Sequence, residues 1–203
     1  MIRLLSVLAS ANILSACDIV EAPKPSSGGA VAGCMTRAYD DIGGPFELID
    51  QTGQVRTEAD FMDKPTLIYF GFTYCPDVCP STLVAVNQAY NRLPDGVSPP
   101  NTLLISVDPE RDTPEALASY VSSDAFPDNL VGLTGSPQAI ADAADKFIVD
   151  FQRIEVPESL GAYTMDHTSL LYLMDENWQL QTFFTETESN PGRMAECLAK
   201  HLD

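Results

Sequence analysis

Two stretches, residues 65–72 (PTLIYFGF) and 101–108 (NTLLISVD), are almost unbroken runs of apolar and β-favouring side chains with no polar–apolar alternation. A strand that is apolar at nearly every position must be covered on both faces, which places such runs inside a sheet flanked by helices. The segments around them supply the layers. Residues 75–93 predict a helix that stops before Pro94-Asp95-Gly96. A second helix opens at Pro114, capped by Asp112 or Thr113, and runs to about Ser122. A third opens at Pro137 behind a Ser136 cap and runs towards Phe147, and residues 194–202 predict a closing helix. Residues 129–133 predict a short strand, 148–156 a polar-interleaved strand, and 168–174 with 179–184 a hairpin turning at Glu176-Asn177. An N-terminal hairpin, residues 46–50 and 54–57, turns at Thr52-Gly53. Strands alternating with helices and closing on a hairpin and a helix specify an α/β fold with a sheet covered on both sides.

The chain has 203 residues, enough for one domain with flanking segments. Its first residues carry one positive charge, Arg3, and then an apolar run over 4–16, the layout of a secretory signal peptide and too short for a comfortable membrane span. The run ends in Leu14-Ser15-Ala16-Cys17, which resembles a bacterial lipobox; Cys17 is then the lipidated residue, the alternative being an ordinary cysteine in an uncleaved leader. Pro23, Pro25, Ser26, Ser27, Gly28 and Gly29 lie in a segment with almost nothing to bury. The expected organisation is a signal peptide over 1–16, a lipidated Cys17 and flexible tether over 17–38, and a folded domain over 39–203. That arrangement suits a lipoprotein on the periplasmic side of a bacterial membrane. Asp18 favours the inner one. The formal charge is −18, from 29 acidic and 11 basic residues, which argues against nucleic acid as a partner because binding needs clustered cations.

The chemistry concentrates in Gly71-Phe72-Thr73-Tyr74-Cys75-Pro76-Asp77-Val78-Cys79-Pro80, where a buried strand gives way to a helix. Ligands bind at that edge of open α/β sheets. The two cysteines stand four positions apart, so one helical turn would set their sulfurs on one face. Pro80 is expected to begin the regular helix, leaving 75–79 as an irregular turn. The helix terminus favours thiolate, the reactive and metal-binding form. Such a pair can close as a disulfide or hold a soft ion such as Cu(I). Of the two histidines, His167 stands immediately before the expected strand 168–174 and is a candidate third ligand. Asp166 is a candidate for orienting its ring. His201, near a polar terminus, reads as exposed.

Three segments, GFTYCPDVCPSTL (71–83), VDPERDTPEAL (107–117) and YTMDHTSLLYLMD (163–175), together resemble the Sco/SenC family, over roughly residues 39–202. The resemblance implies a thioredoxin-like fold decorated with an N-terminal hairpin. It implies copper binding by Cys75, Cys79 and His167, and delivery to the dinuclear copper site of cytochrome c oxidase subunit II. Thiol–disulfide reductase activity towards that subunit is implied as well, with Cys75 and Cys79 as the redox-active pair. Cu(I) is the expected ion, with Cu(II) accommodated by an added ligand, and a second periplasmic copper chaperone is an expected partner of a monomeric protein. Dedicated thioredoxin-type reductases usually separate their cysteines by two residues; three separate them here. The 107–117 segment reads as a strand end followed by a capping box from Asp112 to Glu115, or as a charged rim open to a partner. Met165 is a further sulfur near His167, though packing explains it as well. With Cys17 lipidated and Cys75 paired in function with Cys79, Cys34 and Cys197 remain; they either form a disulfide joining the ends of the domain or stay as separate buried thiols.

Overall fold

The computed structural model describes Cys34 and residues 41–157, 162–185 and 190–202. The segments expected to be a signal peptide and, apart from Cys34, a lipidated Cys17 and tether lie outside these residues. The order is β1 (Glu47–Asp50), β2 (Val55–Thr57), a 3₁₀ turn (Glu58–Phe61), β3 (Thr66–Gly71), α1 (Val78–Tyr90), β4 (Asn101–Ser106), α2 (Pro114–Val121), β5 (Leu130–Thr134), α3 (Pro137–Lys146), β6 (Phe151–Glu155), β7 (Tyr163–His167), β8 (Leu171–Met174), β9 (Leu180–Phe184) and α4 (Pro191–His201).

Seven strands form one sheet in the order β2-β1-β5-β4-β3-β8-β9. β3, β4 and β5 are parallel and β1 and β8 join them antiparallel; the N-terminal hairpin that the sequence predicts is β1–β2, and it sits at one edge of the sheet. All six residues of β3 are buried, the mark of a strand covered on both faces. α1 packs with α4, whereas α2 lies against β5 and α3 against β1. Thr113, Ser136 and Asn190 cap α2, α3 and α4 through their side chains, each directly before a proline whose missing N–H costs the helix nothing there.

The structure corrects several expectations. α1 begins at Val78 and not at Pro80. Pro80 is its third residue, and the N–H groups of a first turn have no partner within the helix, so proline removes no bond. Asp112 is neither a cap nor part of a capping box: Thr113 Oγ1 takes the Ala116 N–H at 3.3 Å, and Asp112 is fully buried. The run at 168–174 is strand only from Leu171. His167 ends β7 instead, which pairs with β6 as a separate two-stranded ribbon, His167 opposite Phe151. β7 carried little signal because its burial is uneven, Tyr163 alone of its five residues being buried. Cys34 and Cys197 form a disulfide with Cα atoms 5.4 Å apart, so the chain before β1 is joined to α4 across 163 residues of sequence. His201 lies half-buried beside this bond, Nε2 3.7 Å from Cys34 Sγ, and is not an exposed tail residue.

Candidate functional site

The turn between β3 and α1 carries both motif cysteines to the carboxyl end of a central parallel strand. Cys79, in the first turn of α1, is completely buried, and Cys75 is half-buried. The Cys79 N–H donates to Cys75 Sγ at 3.3 Å. The buried Tyr69 hydroxyl donates to Cys79 Sγ at 3.6 Å. Gly71 makes this approach feasible: a Cβ there would stand 3.2 Å from Cys79 Sγ and 3.0 Å from the Tyr69 ring, closer than side chains normally pack.

His167 arrives from the end of the ribbon, 88 residues downstream, with Nε2 3.8 Å from Cys79 Sγ. Its ring meets Phe72 edge-on at 5.9 Å and Tyr69 at 6.2 Å. Nδ1 lies 3.1 Å from the Thr168 carbonyl oxygen. A carbonyl only accepts, so Nδ1 carries the proton and, in the neutral ring, Nε2 presents its lone pair to the sulfurs. The Thr168 carbonyl therefore orients the imidazole, and Asp166 does not. Adjacent strand residues point to opposite faces, and Asp166 is turned outward to accept from Gln152 Nε2 at 3.3 Å. Met165 packs against the hydrophobic core.

The two thiols are held in opposite states. The Cys79 thiol beside it, then the backbone N–H groups of Cys79 and Asp77 and the charge of His167, lower the Cys75 pKa to about 5. Cys79 is pushed well above the usual thiol range by its hydrogen bond to the Cys75 sulfur and by burial. Burial likewise keeps the Tyr69 phenol protonated, and so a donor. The pair at rest is a half-exposed thiolate over a buried thiol.

The residues that sequence reasoning missed lie in the 107–117 segment, which turns out to brace the other two. The Asp112 carboxylate, whose pKa is raised by burial, accepts from the Thr73 N–H at 3.1 Å, from Thr73 Oγ1 at 2.6 Å and from Ser106 Oγ at 2.6 Å. It thus fixes the turn two residues before Cys75. Asp108, buried, pairs with Arg111 and accepts from the Tyr163 hydroxyl at 2.9 Å. Arg111 donates to the Tyr163 carbonyl at 2.9 Å, and its guanidinium lies over the Tyr163 ring at 3.6 Å and the exposed Tyr74 ring at 4.6 Å. Tyr163 opens the strand that His167 ends. The available signal was the density of acidic side chains directly after a buried strand, which a solvated helix start does not require.

Two thiols and an imidazole with a free lone pair fit a soft, low-coordinate metal ion. Among the described residues no helix is long and apolar enough to cross a membrane. A family model described as SCO1/SenC matches residues 35–203. The SCO2-like protein RP587 of Rickettsia prowazekii is 39% identical over 149 residues, 72% of this chain and 72% of the relative. A solved structure of Bradyrhizobium japonicum ScoI with copper bound is 39% identical, covers 80% of this chain and 99% of that one, and superposes with a TM-score of 0.69. A structure of Arabidopsis thaliana ScoI with copper bound is 35% identical, covers 78% of this chain and 96% of that one, and gives a TM-score of 0.73.

Proposed function

The chain belongs to the SCO1/SenC family, and from that premise we propose that it is a copper chaperone on a thioredoxin-like fold. It takes Cu(I) as cargo through Cys75, Cys79 and His167 and passes it to the dinuclear copper site of cytochrome c oxidase subunit II. The observation that carries the reading is the meeting of His167 Nε2 with Cys79 Sγ at 3.8 Å, the other ring nitrogen being tied to Thr168. The copper-bound relatives support it. The residues divide the work. Cys79 and His167 form the inner wall, and the thiol proton of Cys79 must leave when metal binds. Cys75, half-exposed and already deprotonated, is the donor that an incoming ligand can reach and replace. Phe72 and Tyr69 shield the imidazole from water. Residence at the periplasmic face of the inner membrane, through a lipid on Cys17, belongs to the same reading, as do a monomeric state and a second chaperone as metal donor.

The test is competitive Cu(I) titration with sulfur and nitrogen donors counted by X-ray absorption. Wild type is expected to show two sulfurs and one nitrogen, and His167→Ala to lose the nitrogen and at least about tenfold in affinity. Unchanged affinity and donor count in His167→Ala would overturn the three-ligand reading.

A second reading has its own observation. A half-exposed thiolate over a buried, protonated partner is the arrangement a thiol–disulfide reductase needs: Cys75 attacks a substrate disulfide, and Cys79 resolves the mixed disulfide. Reduction of the subunit II cysteines by His167→Ala at the wild-type rate would favour this role over metal delivery.

A further inference from the structure

Cys197 and His201 stand four residues apart on α4, so both side chains leave the same face of the helix. Cys34 is held against that face, bonded to Cys197 and 3.7 Å from His201 Nε2. The three ligand atoms lie within 4.8 Å of one another. Cys197 is buried and the other two are half-buried, so a reductant can reach the bond from the Cys34 side. A neutral imidazole offers a metal ion the lone pair of the ring nitrogen that carries no proton. Two sulfurs and one imidazole form the same donor set as Cys75, Cys79 and His167, built a second time from residues outside the segments 71–83, 107–117 and 163–175.

We propose that Cys34, Cys197 and His201 are a second Cu(I) site, closed while the disulfide is intact and opened by its reduction. A dithiol supplies two electrons and two protons and is itself oxidised to a disulfide; the Cys34–Cys197 bond breaks and each sulfur gains a proton. Cu(I) then enters as both protons leave, giving two thiolate ligands and the His201 nitrogen. The terminal bond is therefore a redox gate over metal-binding capacity as well as a link between the chain ends.

The experiment uses the full chain carrying Cys75→Ser, Cys79→Ser and His167→Ala, so that its outcome does not depend on the proposed delivery site. The protein is titrated anaerobically with Cu(I) against a bathocuproine competitor, before and after reduction by dithiothreitol and removal of the reductant. The oxidised form is expected to take no copper and the reduced form one equivalent. Adding His201→Ala should weaken that binding at least about tenfold. Thermal unfolding followed by circular dichroism should show Cu(I) raising the midpoint of the reduced form and leaving the oxidised form unchanged. The proposal is overturned if the reduced protein takes no Cu(I), if His201→Ala binds it equally well, or if reduction unfolds the chain and Cu(I) does not restore its folded signal.

Discussion

At the scale of single residues, the asymmetry between the two thiols makes the sharpest claim. Alkylation requires thiolate, and the thiolate fraction rises with pH through the pKa of the group. An unperturbed cysteine titrates near 8.5, whereas Cys75 is lowered to about 5 by the neighbouring thiol and N–H groups. The rate of Cys75 modification by iodoacetamide, followed by peptide mass spectrometry, should therefore rise to a plateau with a midpoint near pH 5. Cys79, raised and buried, should stay unmodified in the folded protein through neutral pH. A Cys75 midpoint near 8.5 would remove the electrostatic basis of the site. The identities of Cys75, Cys79 and His167 as candidates were legible from the sequence, because residue type and spacing bear directly on metal and thiol chemistry. Their support was not. Asp166 is adjacent in sequence but faces away, and the ring is held by a backbone carbonyl, a group that every residue carries and no pattern advertises.

At the scale of elements, the buried strands and the proline-led helices were readable, since an apolar run and a cap followed by proline are local properties of the chain. The β6–β7 ribbon was read only in part. Its burial is uneven, and its pairing is a long-range fact with weak local marks. The segment from Asp108 to Thr113 shows what such a gap conceals. Its Thr113 cap is local and was expected, but Asp112 reaches back to Thr73 on a different connection. These two roles predict separable effects. Asp112→Ala leaves the buried Ser106 hydroxyl and the part-buried donors of Thr73 unmatched, at about 1–3 kcal/mol for a buried group left so and less for a part-buried one. Denaturant titration should register that loss, and the Cys75 alkylation midpoint should move up as the preceding turn loses its anchor. Thr113→Ala removes only the cap, should cost about 1 kcal/mol, and should leave the midpoint where it was. If both variants shift the midpoint alike, Asp112 is not a specific brace for the site.

At the scale of the whole molecule, a central sheet covered on both faces sets the stability of the scaffold, and the Cys34–Cys197 bond ties its two ends. The sequence left Cys34 and Cys197 either bonded or as separate buried thiols, and packing decides between the two: α4 lies on α1 with Cys197 turned inward, and Cys34 meets it there. Because the bond spans 163 residues, its main expected effect is on the unfolded chain, whose ends it keeps together. For a closed loop of that length the chain-entropy relation gives about 5 kcal/mol. Cys34→Ala with Cys197→Ala should therefore lose up to that amount in equilibrium denaturation. The folded-state signals of the site, including the Cys75 alkylation midpoint, should stay unchanged, since Cys75, Cys79 and His167 are held by β3, α1, the 107–117 segment and the ribbon. A shift of that midpoint in the double variant would mean that the site depends on the terminal bond. The Cys34–Cys197 link and the candidate site would then behave as one coupled unit, and reduction of the bond would govern both.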